Sequence, residues 1–284
     1  MHVSLDSALG RQRRLNSVGE SVLQIAPNAA AAYSLRSLTG GDPKVVRVRR
    51  DTDGGAGDND EQDFTASEVF SGALVAFVGS GNDGFVETWY DQSGNSNDAV
   101  QATAGSQPKI VSAGALNTSG GLEFDGSDDF LSLTSNISFE NKAGCVFSLQ
   151  DGQDSPNDFT LGNSGSSRGI GFRSILTRWF FTTGAIDIDN SSPPSGLALF
   201  TALHDGTTND PNVTAFVNSS LIVDGSPDAN QGEANVSTVA NQIGARRALS
   251  FLEGTVKEII IYDTDQTNNR AALETEIMSH YGIS

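Results

Sequence analysis

A single cysteine, Cys145, in a chain of 284 residues excludes any intrachain disulfide. Its neighbours Val146 and Phe147 mark it as a small buried apolar residue. Histidine is scarce too. His2, His204 and His280 are far apart and have no metal-ligand spacing. His204, at the end of an apolar run, reads as a surface turn residue. No apolar run reaches the 18 residues of a membrane-spanning helix, so membrane insertion is not expected. Positive charge is short: 17 Lys and Arg stand against 35 Asp and Glu, a formal charge of −18. Such a surface repels nucleic-acid phosphates and anionic lipid heads, which excludes nucleic acid as a partner class. The opening "MHVSLDSALGRQRR" has no apolar stretch after its arginines, so no secretory signal is expected and synthesis is read as cytoplasmic. A P-loop and a nucleophile elbow are both missing. "GSGNDG" at 79–84 is Gly-rich but lacks the phosphate-binding lysine.

What is present points to strands and turns. The 31 glycines and 15 phenylalanines fit a core-filled β protein that stays undivided at this length. Residues 1–26 carry Arg11, Arg13 and Arg14 among scattered aliphatics and read as an arm or attachment segment. Residues 27–284 form the domain. Its first predicted helix is "PNAAAAYSLRSL", 27–38, started by Pro27 and Asn28 and rich in alanine. Next, Val46 and Val48 alternate with Arg47 and Arg49, a strand with one polar face. The acidic loop "DTDGGAGDNDEQD" does not have EF-hand spacing. It reads as solvated, with Ca2+ the one cofactor its carboxylates suit. A helix is predicted over 65–79, with Val69, Phe70, Leu74 and Phe77 on one stripe. From residue 85 onward, short apolar runs alternate with Gly/Asn/Asp/Ser clusters, the pattern of an all-β sandwich or barrel. "VTAFVNSSLIVDG" reads as a hairpin. A final helix is expected in 264–283, with Thr264 or Asp265 as N-cap, Leu273 and Ile277 packed, and Gly282 as the stop.

Five segments in order carry a resemblance: "AAYSLRSL", "VVRVRRDTD", "FVETWYDQSGNSNDAVQATAGSQPKIV", "GLEFDGSDDFL" and "FLEGTVKEIIIYDTDQTNNRAALETEIMSHYGI". Together they resemble a concanavalin A-like (LamG-type) jelly-roll module. The chain is similar to the catalytic domain of fungal α-L-arabinofuranosidase B, and closer to non-enzymatic modules of bacteriophage tail, fibre and virion proteins. The resemblance implies an antiparallel β-sandwich with a few peripheral helices and sugar ligands at its concave face or rim loops. It also implies a virion location, attachment to other virion proteins through the N-terminal arm, trimeric or repeated assembly, and host glycans as ligands.

A retaining glycosidase needs two carboxyl groups about 5 Å apart. In the arabinofuranosidases one is a glutamate on a middle strand and the other an aspartate placed before the last helix. Asp265 or Asp263 could match the aspartate. No glutamate lies between Glu140 and Glu233, and the corresponding stretch offers only Asp187 and Asp189. The family's adjacent cysteine pair has no counterpart. The expectation is therefore a non-catalytic protein, with a glycoside hydrolase of arabinofuranosidase type as the alternative. For sugar contacts the residue types needed are aromatic platforms and hydrogen-bonding partners for hydroxyls. The candidates are Trp89, Asp91, Arg173, Arg178, Trp179 and Arg246.

Overall fold

The computed structural model describes residues 20–52, 60–117, 120–140, 142–151, 159–172, 176–180, 185–189, 194, 196–206, 213–225, 239–247 and 250–284. Among them every strand pairing is antiparallel. The chain is all-β, an antiparallel sandwich of jelly-roll type with a few peripheral helices.

One run of paired strands goes from Glu61–Thr65 through Lys44–Asp51, Asp83–Trp89, Lys109–Ser112, Leu122–Asp125 and Glu253–Tyr262 to Gly144–Asp151 and Ala198–His204. A second runs from Ala99–Val100 through Leu131–Ser138, Val239–Ile243, Leu161–Asn163 and Ser166–Phe172 to Leu176–Phe180 and Ala185–Asp189. The Asp83–Trp89 strand joins the two, because Thr88 and Trp89 pair with Val100 and Ala99.

In the strand Glu253–Tyr262 the last four residues, Ile259 to Tyr262, are apolar without a break. Ile259 and Ile261 enter the large cluster with Trp89, Phe124 and Phe200, while Ile260 and Tyr262 face a second cluster under the last helix. Covered on both faces, such a strand has no polar side to alternate with. Gly144–Asp151 behaves alike: Val146 points one way, and Cys145, Phe147 and Leu149 the other. Cys145 is buried as expected, and burial pushes its thiol well above the ordinary range.

Two helix expectations fail. Residues 27–38 hold a strand, Ala31–Ser34, paired with Glu258–Ile261. Ala31 and Tyr33 enter the first cluster and Ala32 the second, so sheet pairing overrides alanine's helical preference. Asn28, at a φ of 67°, takes a left-handed turn where a helix would begin. The predicted helix 65–79 is two short ones, Ala66–Phe70 and Ala73–Val78, parted at Gly72 with φ 91°. Thr65 and Glu68 form a capping box on the first. Phe70, expected in the packed stripe, is 57% exposed.

The hairpin forms as expected: Val213–Val217 pairs with Ser220–Gly225, and Val213, Ala215 and Val217 are buried together. The final helix spans Arg270–Tyr281, buries Leu273 and Ile277, and ends at Gly282 with φ 68°. Its N-cap is Asn269. Thr264 and Asp265 lie outside it, in the preceding turn. Residues 20–26 of the expected arm join the domain: Val22 and Ala26 are buried, and the Tyr262 hydroxyl donates to the Ala26 carbonyl at 2.8 Å. Residues 1–19 lie outside the described residues.

Candidate functional site

In the strand Lys44–Asp51, Val46 and Val48 supply the core, so Arg47 and Arg49 stand on the opposite face. Register then sets residues distant in sequence side by side. Arg49 is opposite Phe85, Phe85 opposite Lys109, and Lys109 opposite Glu123. This row of cation, aromatic, cation and anion crosses four neighbouring strands and floors a cavity of about 410 Å3. The turns at 104–107 and 125–129 close its sides.

The floor is electrostatically ordered. The Arg49 guanidinium lies 5.0 Å from the Phe85 ring centre, and the Lys109 ammonium 5.6 Å from the same ring. Arg49 is buried and its Nε donates to Gln107 Oε1 at 2.8 Å. Lys109 sits 2.8 Å from Asp83, and that hydrogen bond raises the ammonium's pKa. Burial pushes Asp83 up, but the Lys109 and Ala113 hydrogen bonds outweigh it, and the carboxyl ends below its usual range.

The wall at 125–129 is acidic. Asp125 Oδ1 accepts from Ser127 N at 2.8 Å, with Gly126 in a left-handed turn at φ 75°. Asp129 is 7% exposed and, among the described residues, accepts one hydrogen bond, from Asp125 N at 3.1 Å on Oδ2. Burial first, and the Asp125 charge second, push its carboxyl up to about 7. Asp125, Asp128 and Asp129 each bring a carboxylate oxygen within 4.8 Å of the others. Three oxygens are half of the smallest Ca2+ ligand set, so the trio is an incomplete cation site. Most of the acidic loop read for Ca2+, residues 53–59, lies outside the described residues.

Of the six sequence candidates, the three with described side chains, Trp89, Asp91 and Arg246, do not line this cavity. Trp89 is fully buried in the sandwich core, its ring 5.6 Å from that of Tyr33, and offers no face to a ligand. Asp91 is a corner-builder. Oδ1 accepts from Ala32 N at 2.8 Å and Ser93 N at 2.9 Å, while Oδ2 accepts from Ser93 Oγ at 2.7 Å and Asn97 N at 3.1 Å. Full burial corrects the reading of Trp89 as a ligand contact, while Asp91 is half-buried with both oxygens engaged in the corner. Arg246 is half-buried with its guanidinium 4.0 Å from the Phe159 ring centre. Arg178 and Trp179 belong to Leu176–Phe180, described by its backbone, where they pair with Gly171 and Ile170 on one side and Asp187 and Ile186 on the other. Arg173 lies outside the described residues. His204 is buried, 2% exposed, and its Nδ1 accepts from Gly206 N at 2.9 Å, which corrects its reading as a surface residue.

The carboxylates considered for catalysis are placed as well. Asp265 accepts from Thr267 N at 2.8 Å and Thr267 Oγ at 2.6 Å, and these hydrogen bonds lower its pKa, the opposite of what a proton donor needs. Asp263 is paired with Lys142 at 2.6 Å. Asp187 and Asp189 lie on the strand Ala185–Asp189, described by its backbone.

Sequence reasoning passed over Arg49, Phe85, Lys109 and Asp129. A signal existed for Asp129: "DGSDD" puts three aspartates into five residues. The other three are single residues of ordinary strands, and only register unites them.

No protein-family model matches the chain, and no curated protein does. Solved structures do. A GH54 α-L-arabinofuranosidase soaked with a cyclic sulfate inhibitor superposes with a TM-score of 0.61 at 13% identity, covering 91% of this chain and 64% of the enzyme. An arabinofuranosidase complexed with arabinofuranosyl-α-1,2-xylobiose gives 0.59 at 14%, covering 88% and 62%. The fold is the β-sandwich of these arabinofuranosidases. At such identity the likeness reaches the fold alone, and this chain spans less than two thirds of their length. The resemblance read in the sequence to the arabinofuranosidase domain thus holds for the architecture.

Proposed function

We propose that the chain is a non-catalytic carbohydrate-binding β-sandwich, displayed on the exposed surface of a bacteriophage particle and held there through its N-terminal residues. The observation that carries the binding half is the cavity floored by Arg49, Phe85, Lys109 and Glu123. A pyranose or furanose ring has apolar C–H faces and hydroxyls at its edge. Phe85 supplies a platform, Arg49 and Lys109 supply donors, and Glu123, Asp125 and Asp129 supply acceptors. A volume near 410 Å3 suits one or two sugar units. The solved arabinofuranosidases that share the fold support a carbohydrate ligand class.

The non-catalytic half rests on the lack of a glutamate between Glu140 and Glu233 and on an Asp265 held as a turn acceptor. The virion half rests on the sequence resemblance. In this reading residues 1–19 dock on other virion proteins and copies of the chain assemble as trimers.

The binding experiment is a glycan array followed by calorimetric titration of the best hit. Phe85→Ala is expected to weaken that hit at least tenfold, and an array without hits would refute the reading. 4-Nitrophenyl α-L-arabinofuranoside tests the enzyme alternative: turnover that disappears in Asp265→Asn would reverse the non-catalytic assignment. Deleting residues 1–19 is expected to abolish association with particles while the domain stays folded, and light scattering of the purified chain should give the mass of a trimer.

A further inference from the structure

A second depression, of about 620 Å3, opens beside the corner that follows Trp89. Its wall is made of amides and hydroxyls: Ser93, Asn95 and Asn97 from the corner, Ser135 and Asn136 from the strand Leu131–Ser138. The two charged groups that line it, Lys142 and Asp263, neutralise each other at 2.6 Å.

The corner is held rigidly. Asp91 gathers Ala32 N, Ser93 N, Ser93 Oγ and Asn97 N, and the Tyr33 hydroxyl donates to the Asn97 carbonyl. Asn97 is 4% exposed. Its Oδ1 accepts from Ser135 N at 2.7 Å and from Thr134 Oγ at 3.3 Å. A backbone N–H can only donate, so the amide has one orientation: oxygen toward Ser135, nitrogen away from it. The two Nδ2 protons meet no acceptor among the described residues, although Asn97 is buried and lines the depression. Asn95 is turned the other way. Its Nδ2 donates to the Ala29 and Ala30 carbonyls at 2.9 and 3.2 Å, which leaves Oδ1 as an open acceptor.

The Asn97 side chain is largely buried, but its Nδ2 is not among the buried atoms without a partner, so the two protons reach the depression and are open to an acceptor there. One wall therefore presents two donors and an acceptor, fixed in place, with no net charge beside them. A hydroxyl is the group that both accepts and donates, and several on one small frame would answer the whole set. We propose that this depression is a second binding site, separate from the charged cavity, for a neutral hydroxyl-rich ligand of monosaccharide size.

The test is a titration of the 15N-labelled full chain with D-glucose, D-galactose, D-mannose, L-rhamnose and L-arabinose, followed on side-chain amide signals. At least one sugar is expected to move the Asn97 and Asn95 signals saturably. Phe85→Ala, in the other cavity, is expected to leave that response intact. Asn97→Asp keeps an oxygen for Ser135 N–H and Thr134 but removes both donors, and is expected to abolish the response at the remaining Asn95 signal. If Asn97→Asp does not fold, Ser135→Ala removes only a wall hydroxyl, and a severalfold weaker response is expected. The proposal is overturned if none of the five sugars moves these signals, or if neither wall variant weakens the response. It is equally overturned if Phe85→Ala abolishes the response while the wall variants retain it. The charged cavity is judged by the glycan array and Phe85→Ala and not by the Asn97 and Asn95 signals, so the two readings fail separately.

Discussion

Arginine meets carboxylate in two regions of this sandwich, with opposite outcomes. Under the last helix, Arg36 spends four of its five N–H donors on two carboxylates. Nε and Nη2 donate to Glu258 at 2.7 and 2.9 Å, and Nη1 and Nη2 donate to Glu276 at 2.7 and 2.8 Å. Glu258 also accepts from Ser34 Oγ at 3.0 Å and the Tyr281 hydroxyl at 3.1 Å. Burial lowers Arg36's affinity for its proton, but the two glutamates more than reverse this and hold the guanidinium charged. In the charged cavity, by contrast, Arg49 meets Asp51 only at 3.9 Å, gives Nε to Gln107 and Nη2 to the Ala104 carbonyl at 3.4 Å, and turns one flank to an aromatic ring, while Asp129 accepts one hydrogen bond among the described residues. A nearly saturated network holds the last helix against the sheet and has little left to offer a ligand. The unsaturated one keeps unused hydrogen-bonding capacity facing a cavity.

The hardest test of this contrast is Arg36→Ala. It strands Glu258, whose side chain is 1% exposed, beside the sheet. The expected loss in chemical denaturation is about 3–5 kcal/mol. A loss below about 1 kcal/mol would mean that the network holds nothing together. Next comes the pH dependence of Asp129. The unfolded carboxyl titrates near 3.8 and the folded one near 7, so between those values the unfolded chain has released a proton that the folded chain still binds. Stability should therefore fall from about pH 4 to about pH 7 and level off above it. Asp129→Asn should flatten that slope, and an unchanged slope would remove Asp129 from the unsaturated set. Phe85→Ala should separate the regions further. A half-buried platform should cost ligand affinity about tenfold, or about 1.4 kcal/mol, with the denaturation midpoint almost unmoved. The smallest effect is the control. Lys142→Ala breaks a largely exposed pair with Asp263 and should change stability by less than about 0.5 kcal/mol.

Legibility followed the same divide. Alternation at Val213, Ala215 and Val217 announced the hairpin because a half-buried strand writes its period into the residues. The stripe of Leu273 and Ile277 with Gly282 behind it announced the last helix. Alanines at 29–32 misled, since propensity is worth tenths of a kcal/mol per residue and a place between two cores outweighs it. Trp89 misled for a related reason. An aromatic beside an aspartate looks alike whether it stacks on a sugar or on Tyr33, and only what covers the strand tells them apart. Asp91 belonged to a corner that was readable, but which backbone N–H groups it serves was not, because Ala32 comes from another strand.

By itself the sequence determined an all-β chain with short strands, a helical end, a buried lone thiol and an acidic surface. Each is a local or summed property of residue types, so no distant partner is needed to read it. Tertiary structure alone decided that Arg49, Phe85, Lys109 and Glu123 share one cavity floor, and that Asn97 holds two idle donors at another. Period-two alternation assigns residues to a face, but register between distant strands decides which of them become neighbours, and the turns laid over that face decide which stay open.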